Sequence, residues 1–75
     1  MSRLPTIRPR EMVSALQRAG FEELHQKGSH LYLIHPQKKF ITSVPIHPGD
    51  LDRGLMKKIL RQADISEEEF HKLIR

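Results

Sequence analysis

The sequence predicts an α+β fold, a two-layer sandwich of element order α-β-β-β-α with a short extra C-terminal helix. Three observations carry that expectation. Met12, Val13, Leu16 and Ala19, and later Leu55, Met56, Ile59, Leu60 and Ala63, recur at helical spacing. Between them, residues 22 to 47 lose that period and divide into short β-rich runs separated by breakers. Beyond them, Ser66-Glu67-Glu68-Glu69 has the form of a capping box that opens another helix. Two helices with one apolar stripe each and a small sheet bury one another as two layers, with the second sheet face left in water.

The first helix opens in Thr6-Ile7-Arg8-Pro9-Arg10-Glu11, where Pro9 suits the first helical position because its missing N–H would have no partner there. Gly20 supplies the left-handed residue that ends it, and Phe21 folds back on Leu16 in the contact of a Schellman stop. Strands are expected over Glu22–Gln26, Ser29–Ile34 and Phe40–Ile46, with turns at Lys27-Gly28 and at Pro36-Gln37-Lys38-Lys39. Connections this short favour an antiparallel meander. The middle strand alternates His30, Tyr32 and Ile34 with Leu31 and Leu33. Apolar groups stand on both faces, so periodicity does not decide which one is covered. Pro45 lacks a ladder donor and sets the third strand at an edge or near its end.

After the turn Pro48-Gly49-Asp50, Asp52 is placed to cap the second long helix. In the terminal helix Ser66 is expected to accept from the Glu69 N–H while the Glu69 carboxylate reaches back, with Ile65 and Phe70 as a hydrophobic staple. Phe70, Leu73 and Ile74 then clasp the body. No repeat or low-complexity segment interrupts residues 1–75, which read as a single domain.

A chain of 75 residues buries only about 60% of the surface its unfolded form exposes, so a deep enclosed pocket is not expected. There is no cysteine, hence no disulfide framework or thiolate metal site, as suits a cytoplasmic protein or one indifferent to redox state. The opening Met1-Ser2-Arg3-Leu4-Pro5 lacks the apolar segment of a signal peptide, and no uncharged apolar run approaches the roughly 18 residues of a membrane span. The expectation is a soluble protein with no membrane partner. Net charge is +4, and the acids Asp64, Glu67, Glu68 and Glu69 gather at the C-terminal end, so the rest is more basic still. That balance suits a polyanion, with nucleic acid foremost, although a mildly basic soluble domain has the same signature.

The one stretch where a titrating side chain meets unusual backbone freedom is Lys27-Gly28-Ser29-His30. Histidines at 25, 30, 35, 47 and 71 show neither the i, i+4 helical spacing of a zinc site nor an HExxH motif, so no metal or other cofactor is expected. Ser29 has no GxSxG context. A single-histidine ribonuclease is a different matter, because RNA brings its own nucleophile. The 2′-OH attacks the adjacent phosphate once a group titrating near neutrality takes its proton or protonates the leaving 5′-oxygen.

In that reading His30 is the catalytic residue, Gly28 admits a phosphate close to the backbone, Ser29 donates to a phosphate oxygen, and Lys27 neutralises charge. Lys57, Lys58 and Arg61 on the polar side of the second helix are candidates to hold phosphates, and His47 a candidate substrate contact. The alternatives are an ordinary exposed strand histidine and a solvated helix face. His25, His35 and His71 have no context above that of surface residues.

Ala19-Gly20-Phe21, Lys27-Gly28-Ser29-His30, His35-Pro36, Val44-Pro45-Ile46-His47 and Ile59-Leu60-Arg61-Gln62-Ala63, in this order and spacing, make the chain resemble the HicA-type toxins over nearly its whole length. The resemblance implies a fold like the double-stranded RNA-binding domain and cofactor-free endonucleolytic cleavage of mRNA by the histidine of Gly-Ser-His, here His30. It also implies a HicB-type antitoxin as partner, with DNA met only indirectly through the toxin–antitoxin complex on its operon. The sequence departs from the family in three places. Gly54-Leu55-Met56 stands where Gly-Thr-Leu is usual, Asp64 where a glycine is common, and Arg8 where a capping serine is frequent. Two other readings remain beside the toxin: a non-catalytic RNA-binding module of the same fold, and an inactive relic that acts only through its partner.

Overall fold

The computed structural model describes residues 4–74, so Met1–Arg3 of the opening stretch lie outside the described residues. Helix α1 spans Pro9–Arg18, with Pro9 at its first position and Arg8 as N-cap in extended backbone. An arginine side chain has no acceptor and cannot do a capping serine's work. Only the reciprocal half of the box forms, the Arg8 backbone N–H donating to the Glu11 carboxylate at 2.9 Å. The C-terminal stop is complete. Gly20 sits at φ 102°, the Phe21 N–H donates to Leu16 O at 2.9 Å and the Gly20 N–H to Gln17 O at 3.0 Å, which is the Schellman pair.

Strands β1 (Glu22–Lys27), β2 (His30–Ile34) and β3 (Ile41–Pro45) form an antiparallel sheet in the order β1-β2-β3. Each lies within a residue or two of its expected bounds. Pro45 is both the last residue of β3 and on an edge strand. The face left undecided by periodicity is resolved here. Leu31, Leu33, Thr42 and Val44 are buried against the helices, while His30, Tyr32, Ser43 and Pro45 occupy the opposite face. Strand β1 is exposed along its whole length, covered on neither face, and Leu24 is the extra residue of a bulge.

Helix α2 spans Arg53–Ala63 and is capped by Asp52, whose carboxylate accepts from the Leu55 N–H at 3.1 Å. That carboxylate supplies the cap a hydroxyl in the Gly54-Leu55-Met56 segment would otherwise offer. The helix ends in a second Schellman stop, Ile65 N–H to Leu60 O at 2.9 Å and Asp64 N–H to Arg61 O at 3.2 Å. Here the left-handed residue is Asp64, at φ 59°.

Helix α3, Glu67–Leu73, begins at Ser66, which accepts from the Glu69 N–H at 3.0 Å. The expected return bond from the Glu69 carboxylate is not formed among the described residues, a correction to the reciprocal box. The serine half alone satisfies one orphan donor, and the exposed carboxylate stays hydrated. Ile65 and Phe70 are both buried, as a staple requires.

The core is one cluster on the covered face of the sheet, centred on Phe70, Met12, Leu16, Leu33, Met56 and Ile59. Leu4, Ile7 and Leu51 join it from irregular chain. Their backbone is tied in by Leu51 N–H to Ile7 O at 2.8 Å and by the Arg53 guanidinium on Leu4 O at 2.7 Å. At the other end the Arg18 guanidinium donates to Leu73 O, fastening α3 to α1.

Candidate active site

The hairpin between β1 and β2 is as short as an antiparallel pair allows. Lys27 and His30 are ladder partners, and Gly28 and Ser29 form the two-residue turn. Gly28 has φ 60° while Ser29 is not among the positive-φ residues, the arrangement of a type II′ turn with glycine at its first central position. A Cβ on Gly28 would meet nothing within 4 Å. The glycine is therefore there for its backbone angle, and the space above it is open. The Ser29 carbonyl accepts from the Ile46 N–H at 2.6 Å, which ties this turn to the end of β3.

His30 follows as the first residue of β2, exposed, on the sheet face opposite the core. Its cross-strand partner on β3 is Pro45. Together they border a cleft of about 120 Å³ where β3 meets α2, lined also by Ser43, Leu55, Lys58, Ile59 and Gln62. The phase of α2 decides which cations reach it. Leu55, Lys58 and Gln62 are related by i, i+3 and i+7 and share one side.

Lys57 and Arg61, four apart, face a different hollow beside Ser66 and Glu67. Of the candidate phosphate-holding trio, the fold thus brings only Lys58 to His30. Lys27 stands across the ladder from His30 on its other side. His47 does not line the cleft. Its Nδ1 lies 2.9 Å from Pro48 O, and because a carbonyl only accepts, that nitrogen carries the proton.

Ser43 and Gln62 were not among the residues singled out by sequence reasoning. Gln62 is steadied from below by buried Thr42, whose Oγ1 lies 3.0 Å from Gln62 Oε1 and 3.3 Å from Ile59 O. A hydroxyl has one proton. With the Gln62 amide turned so that its NH₂ donates to Oγ1, Thr42 donates to Ile59 O, both contacts are bonds, and the amide oxygen points to the cleft. The signals that could have found these two residues are the helical phase shared with Lys58 and the cross-strand alternation shared with Pro45.

Three histidines that looked contextless have surroundings after all. His25 stacks on Tyr32, centroids 4.8 Å apart and planes at 15°. His35 is half-buried edge-on to Phe21 at 5.4 Å, and its Nδ1 accepts from the Lys38 N–H at 3.2 Å. His71 has a buried Nε2 with no hydrogen-bond partner among the described residues. Among the described residues no three His, Cys, Asp or Glu side chains come together as a metal cluster, and no helix is long and apolar enough to cross a membrane.

The arrangement can do one kind of chemistry readily. An imidazole at the rim of a small cleft, with Lys58 lining that cleft and Lys27 as its ladder partner, can exchange a proton with a phosphodiester whose charge the cations offset. A comparison with curated proteins gives no match. A family model described as "HicA toxin of bacterial toxin-antitoxin" matches residues 9–65, from the start of α1 through the Schellman stop of α2, leaving α3 outside. That span takes in every element that builds the cleft, and the chain belongs to the HicA family of toxins from bacterial toxin–antitoxin systems.

Proposed function

We propose that this toxin is an endoribonuclease that cleaves mRNA with His30 as its proton-transferring group, independent of metal or other cofactor. The observation that supports it most is the placement of His30 at the end of a tight two-residue hairpin beside a cleft that also holds Lys58. In the reaction the 2′-oxygen bonds to the adjacent phosphorus and the P–O5′ bond breaks, leaving a cyclic phosphate and a free 5′-hydroxyl. His30 either accepts the 2′-proton or supplies the one that the 5′-oxygen takes up, with water serving the other end.

Lys58 and Lys27 offset the charge that grows on the non-bridging oxygens. The open space over Gly28 leaves room for the phosphate, and Ser29 offers a hydroxyl at the turn. Lys57, Arg61 and His47 are assigned, at most, to RNA lying beyond the cleft. The partner in this reading is a HicB-type antitoxin, the working compartment is the cytoplasm, and growth stops because mRNA is cut and translation fails.

Inducing wild type and His30→Ala side by side tests the assignment. Wild type is expected to arrest growth and fragment mRNA, while the variant folds, binds antitoxin and does neither. An RNA with a 2′-deoxy nucleotide at the cut should survive wild type. Cleavage there, or an active His30→Ala, overturns the mechanism, and retention of labelled RNA by wild type without fragments favours the binding module instead.

A further inference from the structure

The stacked pair His25 and Tyr32 lies on the same sheet face as His30 and has no part in the reaction described above. In the register His25, Tyr32 and Ser43 form one row across the sheet, and Lys27, His30 and Pro45 the next. The rows are two residues apart along β2, about 7 Å. One face of the Tyr32 ring is covered by His25 at 4.8 Å. On the β3 side its ladder partner is Ser43, too small to cover an aromatic ring. Ser43 also lines the His30 cleft, so the row that carries Tyr32 ends at the edge of that cleft.

We propose that Tyr32 is a base-binding residue. It stacks an unpaired nucleobase of single-stranded RNA, the one next to the cleaved linkage, with His25 as its backing and Ser43 as the floor beneath the base. This rests on the ribonuclease reading for its position but not for the stacking itself. Four features favour RNA as the occupant. The platform's row reaches the cleft through Ser43, a lysine and two histidines border it, its geometry is aromatic, and Ser43 adds a hydroxyl able to meet a base edge.

Aromatic side chains standing on an open sheet are an established way to hold splayed bases. A base inside a duplex has both faces occupied by its neighbours and cannot use such a platform. The site therefore selects single-stranded segments, with little preference among bases, since each has a π-face.

The test uses inactive His30→Ala protein and a short unstructured RNA oligonucleotide in which each position in turn is made abasic. One abasic position is expected to weaken binding about 5- to 150-fold, the range of a lost stack. Tyr32→Leu should weaken the intact oligonucleotide by a similar factor and be indifferent to that same abasic position, while Tyr32→Phe should bind as the parent does. Thermal melts of the three proteins separate lost stacking from lost fold.

Losses that multiply, or a Tyr32→Leu protein that binds normally, overturn the inference even where wild type cuts RNA. Coupled losses alongside a wild type that cuts nothing leave the platform standing and remove the ribonuclease. Tyr32→Leu that releases the antitoxin yet holds RNA normally assigns the face to the protein partner and overturns the proposal.

Discussion

Replacing Asp64 with glycine should stabilise the protein. The two long helices end in the same hydrogen-bond pattern, but α1 places Gly20 in the left-handed position and α2 places Asp64 there, at φ 59° and ψ 41°. An L-residue in that region is strained by about 1–2 kcal/mol, and Asp is at the lenient end because its side chain tolerates the conformation. A carboxylate at the negative end of a helix adds roughly 0.3–1 kcal/mol of repulsion. Against this, glycine frees the unfolded chain by about 0.4–1 kcal/mol. The balance is near 1 kcal/mol in favour of Asp64→Gly, a rise in Tm of about 4–8 °C for a domain of this size.

Asp64→Asn removes the charge but keeps the backbone conformation, so about half of that gain, roughly 0.5 kcal/mol, should remain. Chemical and thermal denaturation of the three proteins measures both contributions. The reasoning fails if Asp64→Gly is no more stable than Asp64→Asn, because the backbone contribution would then be absent. It fails entirely if neither variant exceeds wild type.

Four other substitutions give further outcomes. Arg8→Ser should complete the half-formed box of α1 and raise stability by about 1 kcal/mol, read from the denaturant midpoint. Gly20→Ala should cost about 2 kcal/mol, since φ is 102° and the new Cβ would stand 2.9 Å from His35 Nε2; adding His35→Ala should recover only the steric part. Thr42→Val should cost about 1 kcal/mol in stability, read from the denaturant midpoint, because Gln62 loses the hydroxyl beneath it. Phe70→Ala, at a side chain with no exposed surface, should cost roughly 3–5 kcal/mol and free α3 from α1, seen as faster amide exchange in Glu67–Leu73.

The helices were legible because their signals are local. Gly20, Asp52 and Ser66 each set an end through bonds to residues within a few positions. The sheet's covered face was not legible, because Tyr32 and Ile34 are nearly as apolar as Leu31 and Leu33, and only docking against α2 decides between them. Leu4, Ile7 and Leu51 lie in irregular chain, where no period exists to mark them as core. At the site, His30 stood out through its unusual turn. Ser43 and Gln62 did not, because what makes them part of the cleft is a contact between β3 and α2 rather than a motif. Helical phase alone separates Lys58, in line with Leu55 and Gln62, from Lys57 and Arg61, which stand one turn apart on a neighbouring side.

Strand β1 carries a consequence for motion. Having neither face covered, it is held almost wholly by its ladder to β2, so it can open locally while β2, β3 and the helices remain folded. His30 depends on that ladder more than its neighbours do. On its β1 side it pairs with Lys27, and on its β3 side the ladder bond falls one residue away, from the Ile46 N–H to Ser29 O, so the His30 and Pro45 pair is a non-hydrogen-bonded one. The candidate catalytic residue thus sits where the least protected segment of the molecule meets its rigid half. Hydrogen exchange should find the amides of Glu22–Lys27 released through sub-global opening well before those of Leu31 and Leu33, with the order of His30 following β1.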